Sequence, residues 1–312
     1  MAPEGPAQPA PGTARKPDWL KVKVPQGERF NWIRGQARTL RLHTVCEEAR
    51  CPNIGECWQS GTATFMLLGD TCTRGCRFCS VKTARHPEPL DAQEPLHIAE
   101  TIRAMALDYV VLTSVNRDDL PDQGAGHFAE TIRRAQLASP ELLIEVLIPD
   151  FQGRPDLIDR IVAARPAVIA HNVETVERLQ AAVRDPRANF AQSLAVLDHV
   201  KRRAPEIKTK SSLMLGLGES EAEVLEALRA LRAIAVDFLT LGQYLQPDRR
   251  KLKVQSFVPP EAFARLERAG LELGFGYVAA GPLVRSSYRA AEFYIARQVR
   301  GERGQRGAPA AS

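Results

Sequence analysis

The stretch Thr62-Ala-Thr-Phe-Met-Leu-Leu68, continued by Gly69-Asp-Thr-Cys72-Thr-Arg-Gly-Cys76-Arg-Phe-Cys79, sets an apolar, β-prone run directly before a loop of three cysteines. β-Branched and aromatic residues suit a pleated, buried surface, and the Gly69-Asp70 pair ends the run, so residues 62–68 read as a strand. Five runs of the same kind follow at 109–115, 142–148, 167–172, 208–215 and 238–244. Helical periodicity follows them, as at 125–137 and 219–234. Near-continuous apolar strands separated by crossover helices predict a parallel sheet covered on its faces. Six such units are too few to close an eight-stranded barrel. In α/β folds function gathers at the carboxyl ends of the strands. There the chain reads Thr113-Ser-Val-Asn-Arg-Asp-Asp119, Pro149-Asp150, His171-Asn-Val-Glu174, Gly216-Leu-Gly-Glu219 and Gln243-Tyr-Leu-Gln-Pro247, besides the cysteine loop.

The cysteines confine the chemistry. All six lie between positions 46 and 79, as Cys46-x4-Cys51-x5-Cys57 and Cys72-x3-Cys76-x2-Cys79. In a long chain without a secretory signal, clustered cysteines bind metal more often than they pair as disulfides. Structural zinc needs four closed ligands, commonly in C-x2-C pairs, and only Cys76–Cys79 has that spacing, although His43 lies near the first triplet. A ferredoxin-like carrier needs four cysteines per cluster. Three thiolates on a four-iron cluster leave one iron open, and an open iron is where a ligand can be activated.

With 44% hydrophobic and 25% charged residues, the chain is neither a disordered polymer nor a collagen. No run approaches the roughly 18 apolar residues of a membrane span, so no membrane partner is expected. Residues 1–17 lack the apolar centre of a secretory signal, which makes the cytoplasm the expected location. Their Pro-rich composition, like that of residues 300–312, predicts disordered tails. The net charge of +5 is uneven: residues 1–45 hold eight Lys/Arg against three Asp/Glu and residues 289–312 five against two, which leaves the middle near −3. Basic ends read either as solvated tails or as a rim that steers an acidic protein. No aromatic residues interleave with a basic run, so no nucleic-acid partner is expected.

The second triplet resembles the signature loop of the radical S-adenosylmethionine (SAM) superfamily. Further stretches resemble the lipoyl synthase family within it: Val45-Cys-Glu-Glu-Ala-Arg-Cys-Pro-Asn-Ile-Gly-Glu-Cys57, Gly61-Thr-Ala-Thr-Phe-Met66, the 113–119 loop, Gly242-Gln-Tyr-Leu-Gln-Pro247 and Gly281-Pro-Leu-Val-Arg-Ser-Ser-Tyr288. The resemblance implies an α/β fold of radical SAM type, an open six-stranded parallel (β/α)6 partial barrel at 62–258. An N-terminal extension at 18–61 and a C-terminal extension at 259–299 would carry an auxiliary cluster. It also implies a sulfurtransferase that inserts two sulfur atoms at carbons 6 and 8 of a protein-bound octanoyl-lysine. SAM-derived deoxyadenosyl radicals would open the C–H bonds, and the auxiliary cluster would give up the sulfur. The implied cofactors are two 4Fe–4S clusters and S-adenosyl-L-methionine. The implied partners are octanoylated lipoyl carrier domains (the glycine cleavage H protein and 2-oxoacid dehydrogenase E2 subunits), a ferredoxin- or flavodoxin-type reductant and an iron–sulfur carrier protein. A monomer is expected.

On the same resemblance Cys72, Cys76 and Cys79 hold the SAM-binding cluster, with Phe78 against the adenine. Cys46, Cys51 and Cys57 hold the auxiliary cluster, with Ser287 as its fourth ligand. Ser114, Asn116, Arg117, Asp118, Glu174, Gly216, Gly218 and Glu219 are candidate SAM contacts, because carboxylates and backbone groups suit its amine and ribose. Ordinary helix capping is the alternative use of those loops. Arg285 is a candidate partner of cluster or substrate, with a structural ion pair as the alternative, and His171 reads as a satisfied strand-end histidine. No acid–base dyad is expected, since abstraction of a hydrogen atom passes no proton to the protein. After Pro247, where the family often carries His, this chain reads Asp-Arg-Arg-Lys-Leu-Lys253. The nearest rival reading is another radical SAM sulfur-inserting enzyme, of the biotin synthase or methylthiotransferase kind. A rival of a different class is a non-catalytic iron–sulfur or zinc module that docks on a carrier.

Overall fold

The computed structural model describes residues 63–287 throughout, preceded by residues 17–20, 31–32, 34–35, 39, 42–48, 51 and 53–59. The tails expected at either end, apart from Pro17, and the C-terminal extension beyond residue 287 lie outside these residues. Numbered in chain order, the strands are β1 (His43–Thr44), β2 (Thr64–Leu67), β3 (Thr71–Cys72), β4 (Lys82–Thr83), β5 (Tyr109–Ser114), β6 (Leu143–Leu147), β7 (Val168–Ala170), β8 (Lys208–Leu215), β9 (Phe238–Gln243) and β10 (Tyr277–Gly281). The main sheet runs β1-β2-β5-β6-β7-β8-β9-β10, and β3 and β4 form a separate parallel pair around the cysteine loop. From β2 to β10 every pairing is parallel, whereas β1 lies antiparallel to β2.

The helices are α1 (Val45–Glu48), α2 (Ile54–Gln59), α3 (Glu94–Met105), α4 (Ala125–Ala138), α5 (Pro155–Ala163), α6 (Gln180–Val183), α7 (Phe190–Arg203), α8 (Glu221–Ala233) and α9 (Pro260–Glu272). Their starts follow local chemistry. Asn189 and Ser220 accept backbone N–H groups at the heads of α7 and α8, and Ser220 with Glu223 forms a capping box. Pro stands in the first turn of α3, α5 and α9, where its missing N–H costs nothing.

All six expected strands form, in order, within two residues of their expected limits. The sheet is nonetheless wider than six. Residues 277–281, Tyr-Val-Ala-Ala-Gly, are short and Ala-rich, yet α9 returns them as a seventh parallel strand beside β9. β1 adds an antiparallel edge. Among the described residues no pairing joins β1 to β10, so the barrel stays open.

Alternation along the strands divides the core. Val110, Leu112, Ile144, Val146 and Ile169 face the helices, while Tyr109, Val111, Leu143, Val168 and Phe238 pack together inside. Among them lies a buried ionic layer. Lys210 Nζ donates to both oxygens of Glu145, at 2.8 and 3.0 Å, and the Tyr109 hydroxyl donates to Oε2 at 2.5 Å. Every strong acceptor is thereby matched, which is the condition for a buried ion pair to be tolerated.

His171 is fully internal. Its Nδ1 is 2.9 Å from the Ile148 carbonyl, which can only accept, so Nδ1 carries the proton and Nε2 accepts from Ser193 at 3.0 Å. Burial, with Arg184 nearby, pushes its pKa down to about 4. An unfolded histidine protonates near 6.5, so between those values the unfolded chain binds the extra proton and stability is lost as pH falls. About 2 kcal/mol should disappear between pH 7 and pH 5. Urea midpoints at the two pH values check this, with His171→Asn expected to flatten the difference; an equally steep wild type and variant would assign the loss elsewhere.

Candidate active site

The cysteine loop leaves β2 through two left-handed residues, Leu68 (φ 70°) and Gly69 (φ 87°). A leucine holds that conformation only with outside support. Glu94 accepts the Leu68 N–H at 2.9 Å, and Arg117 donates to its carbonyl at 3.2 Å. Thr73 then docks on the end of β5, its N–H and hydroxyl both bonded to the Asn116 carbonyl, at 2.9 and 3.0 Å.

Beneath the loop lies a ring of charge. Arg74, only 2% exposed, forks onto Asp118 at 2.8 and 2.9 Å and reaches Asp150 at 2.6 Å. Asp185 accepts the Gly75 N–H at 2.8 Å and the Arg187 guanidinium at 2.8 Å, and Arg187 also donates to the Thr73 carbonyl at 2.7 Å. Burial alone would raise Asp118, but hydrogen bonds from Arg74, Gln152 and Thr73 together hold its carboxyl well below the usual range. Arg187, with the Gly75 amide, draws Asp185 down to about 2. Loops from the ends of β5 and β6 and the segment between α6 and α7 thus grip one cysteine loop.

That grip aims backbone N–H groups at sulfur. The amides of Arg74 and Asn116 donate to Cys72 Sγ at 3.4 and 3.3 Å, and the Asp185 amide donates to Cys76 Sγ at 3.4 Å. Such bonds favour thiolate over thiol and suit the electron-rich ligands of an iron–sulfur cluster. With no metal bound, burial pushes the Cys79 thiol up to about 11 and raises Cys76, so a cluster must displace protons as it binds. Among the described residues, no three Cys, His, Asp or Glu side chains converge on a single metal ion. Three cysteines on one loop, their sulfurs met by backbone amides, match in number and kind the ligands of a 4Fe–4S cluster with one iron left open.

The candidate SAM residues divide by use. Phe78 is half-buried against an apolar group that includes Leu217, Tyr244, Leu252 and Val254. Arg117 is buried, forked onto Asp119 at 2.9 Å, and Asp118 is engaged with Arg74. Both therefore brace the loop. Glu219 accepts the amides of Gly216 and Leu217, closing the Gly-rich turn on itself. Gly216 is fixed by crowding: at φ 96° an added Cβ would sit 2.2 Å from Gln243 and 2.4 Å from the Ser256 carbonyl. Gly218 also has a positive φ, 106°. Ser114 Oγ and Asn172 Oδ1 are buried without a hydrogen-bond partner. Glu174, whose carboxyl burial pushes up, accepts from Asn172 at 3.2 Å and faces Cys76 and Cys79. Orphaned polar atoms at the carboxyl ends of β5 and β7 are what a polar, charged ligand such as SAM would satisfy.

The first triplet meets the far end of the chain. Cys46 belongs to α1, Cys51 precedes α2, and Cys57 is buried in α2 against the main core. The side chain of Cys46 is outside the described set. Asn53 donates to the Leu283 carbonyl at 2.7 Å across 230 positions, and Arg285 lies close enough to Cys51 to lower its pKa against the larger upward push of burial. Among the described residues no carboxylate pairs with Arg285, whose own pKa burial depresses. Ser287 follows two residues later, half-buried in the same turn. Ser80 joins the two triplets, its hydroxyl donating to the Glu48 carbonyl at 2.7 Å. Sequence reasoning missed Arg74, Asp185, Arg187 and Asn53. Arg74, inside the cysteine loop, and Asn53, between Cys51 and Cys57, carried a signal by position; Asp185 and Arg187 carried none.

Comparison with known proteins agrees with this arrangement. Residues 66–231 match the model of the radical SAM superfamily, and residues 8–51 match the N-terminal domain of lipoyl synthase of that family. Lipoyl synthase of Anaeromyxobacter sp. (strain Fw109-5) is 59% identical over 283 residues, covering 91% of this chain and 96% of that protein. The mitochondrial lipoyl synthase of Homo sapiens is 57% identical over 286 residues, covering 90% and 77%. Among solved structures, methylornithine synthase superposes with a TM-score of 0.53 at 12% identity over 88% of this chain and 92% of its own. The FeFe-hydrogenase maturase HydG gives 0.57 at 12% over 75% and 54%. At such identities these two speak for the fold alone. The fold, the cysteine loop and relatives matched over nine-tenths of the chain converge: it belongs to the lipoyl synthase family of the radical SAM superfamily, sulfurtransferases that use a 4Fe–4S cluster and SAM and act on lipoyl carrier proteins.

Proposed function

We propose that this chain inserts sulfur at carbons 6 and 8 of an octanoyl group carried on a lysine of a lipoyl carrier domain, the glycine cleavage H protein or a 2-oxoacid dehydrogenase E2 subunit. Cys72, Cys76 and Cys79 hold the SAM cluster; Cys46, Cys51, Cys57 and Ser287 hold a second 4Fe–4S cluster. When bound, these groups supply the radical that takes a hydrogen atom from an unactivated carbon and the sulfide that replaces it. The chain's own part is placement. The Arg74 ring fixes the cysteine loop, three amides stabilise its sulfurs, and Arg285 brings a cation to the side of Cys51. The observation that carries the reading is the meeting of Cys51 and Asn53 with Leu283 and Arg285. It supports Ser287, two residues beyond Arg285, as the fourth ligand of a triplet that lacks a fourth thiol. An alkoxide is a hard ligand for iron in a sulfur-rich site and a weak one, suited to release. Among the described residues no helix is long and apolar enough to cross a membrane. We place the chain in the cytoplasm, where its thiols stay reduced.

The test is anaerobic. Iron-loaded protein, SAM, a low-potential reductant and an octanoyl-lysyl carrier peptide should yield deoxyadenosine and a peptide heavier by two sulfur atoms, less two hydrogens once the dithiol closes. Ser287→Ala should still cleave SAM while sulfur insertion falls at least tenfold. Loss of SAM cleavage as complete as in Cys76→Ala would remove Ser287 from the second cluster.

A further inference from the structure

The loop after β9 carries Arg249, Arg250, Lys251 and Lys253 against a single acid, Asp248, in the part of the chain whose overall charge is negative. Asp248 is used locally: it accepts the Arg250 N–H at 2.8 Å and faces Arg250 Nε at 3.4 Å. Among the described residues no carboxylate pairs with Arg249, Lys251 or Lys253. Arg249, Arg250 and Lys253 are exposed, the Arg250 side chain by 91%. The loop that bears them is tied down. Gln246 donates to the Lys251 carbonyl and the Tyr244 hydroxyl to the Leu252 carbonyl, both at 2.8 Å. The Leu252 N–H donates at 3.1 Å to the carbonyl of Arg77, itself exposed between Cys76 and Cys79. Leu252 and Val254 join Phe78 in one apolar group behind this wall.

We propose that this basic wall is the docking surface for an acidic one-electron carrier protein of ferredoxin or flavodoxin type, which delivers its electron through the loop that holds Cys76 and Cys79. The proposal rests on the cluster being bound by Cys72, Cys76 and Cys79. One electron leaves the partner's reduced centre and is taken up by the cluster; no bond forms or breaks and no proton moves. Fixed, exposed cations steer an acidic partner and raise its association rate, and electron-transfer encounters are small and brief. The Leu252–Arg77 bond sets the wall directly against the loop that bears Cys76 and Cys79, and a short path to those thiols favours the reductant over the lipoyl carrier as the occupant.

The experiment compares the iron-loaded full chain with its R249E/R250E/K253E variant. Stopped-flow bleaching of the iron–sulfur absorbance by reduced flavodoxin is followed as a function of salt, and affinity for oxidised flavodoxin is measured by calorimetry. The wild-type rate should fall steeply with ionic strength. The variant should react at least tenfold more slowly at low salt, with a flattened salt dependence and weaker binding of oxidised flavodoxin. Reduction by dithionite at high salt, where surface charge is screened, and affinity for an octanoylated carrier domain should match the wild type. Equal rates with flavodoxin would overturn the proposal, as would a variant defective toward the carrier domain instead. If dithionite reduces neither protein, the cluster assignment itself fails and the proposal falls with it.

Discussion

Replacing Arg74 with methionine is expected to lower the melting temperature by roughly 10 °C and to deplete iron at Cys72, Cys76 and Cys79. The guanidinium is the shared cation of Asp118 and Asp150, and all three side chains are at most 8% exposed. Removing one partner from a buried ionic group leaves uncompensated charge, at a cost of about 3–5 kcal/mol, and each kcal/mol shifts Tm by about 2–4 °C in domains of this size. Lysine should not rescue, because one ammonium cannot reproduce a fork on one carboxylate and a third bond to another. The pH dependence supplies a signature. In the wild type Asp118 and Asp150 titrate below their unfolded values, so their stabilisation is present above about pH 4 and lost as pH falls through the folded values. Without Arg74 the two carboxyls, left with Arg187 and neutral donors, take up protons more readily, so the gap between the two proteins should narrow from pH 7 to pH 4. Calorimetric melts at several pH values, with iron counted on the same samples, check both claims; a variant that melts within 2 °C of wild type and keeps its iron would show that the ring is dispensable.

Gly242→Ala should separate the two cysteine triplets. Gly242 lies in β9, and a Cβ placed there would meet the Val284 carbonyl oxygen at 2.1 Å. That atom is backbone, so the 282–287 turn itself must move, and Arg285, bonded to the same carbonyl at 2.6 Å, must move with it. Nothing comparable touches residues 72–79. The expected protein folds, keeps about half of the wild-type iron and still cleaves SAM, while sulfur insertion falls a hundredfold or more. Losing 1 Å of positioning is enough for an effect of that size. Full iron content with unimpaired insertion would show that the turn adapts and that its distance from Cys51 is unimportant.

What could be read from the sequence, and what could not, follows from how each feature is encoded. The six strands are local apolar runs, and the cysteine loop combines an uncommon residue type with a short spacing, so both are visible in a window of a few residues. β10 escaped as a sheet member because Tyr-Val-Ala-Ala-Gly offers little periodicity, and its pairing with β9 is decided by the crossover of α9. The charged ring was invisible as a ring for another reason. Arg74, Asp118, Asp150, Asp185 and Arg187 are ordinary surface residue types on four separate segments, and only the fold makes those segments neighbours. The same holds for Lys210 and Glu145, whose one local trace is a charge in the middle of an apolar strand. Arg117 and Asp118 stood out correctly as strand-end polar residues, yet a sequence does not tell a group that meets a ligand from one that holds the loop meeting it. Chemistry carried by residue type was legible; chemistry carried by long-range apposition was not.

The Asn53–Leu283 bond sets an order of assembly. On the ribosome, Cys46, Cys51 and Cys57 emerge first, but their surroundings stay unfinished until residues 283–287 have left the exit tunnel, some 230 positions later. The charged ring that grips the Cys72–Cys79 loop is synthesised by position 187, and the Leu252 N–H that ties Arg77 by position 252. The nascent chain therefore completes its second triplet first, and iron delivery to this protein is expected to run against the direction of translation.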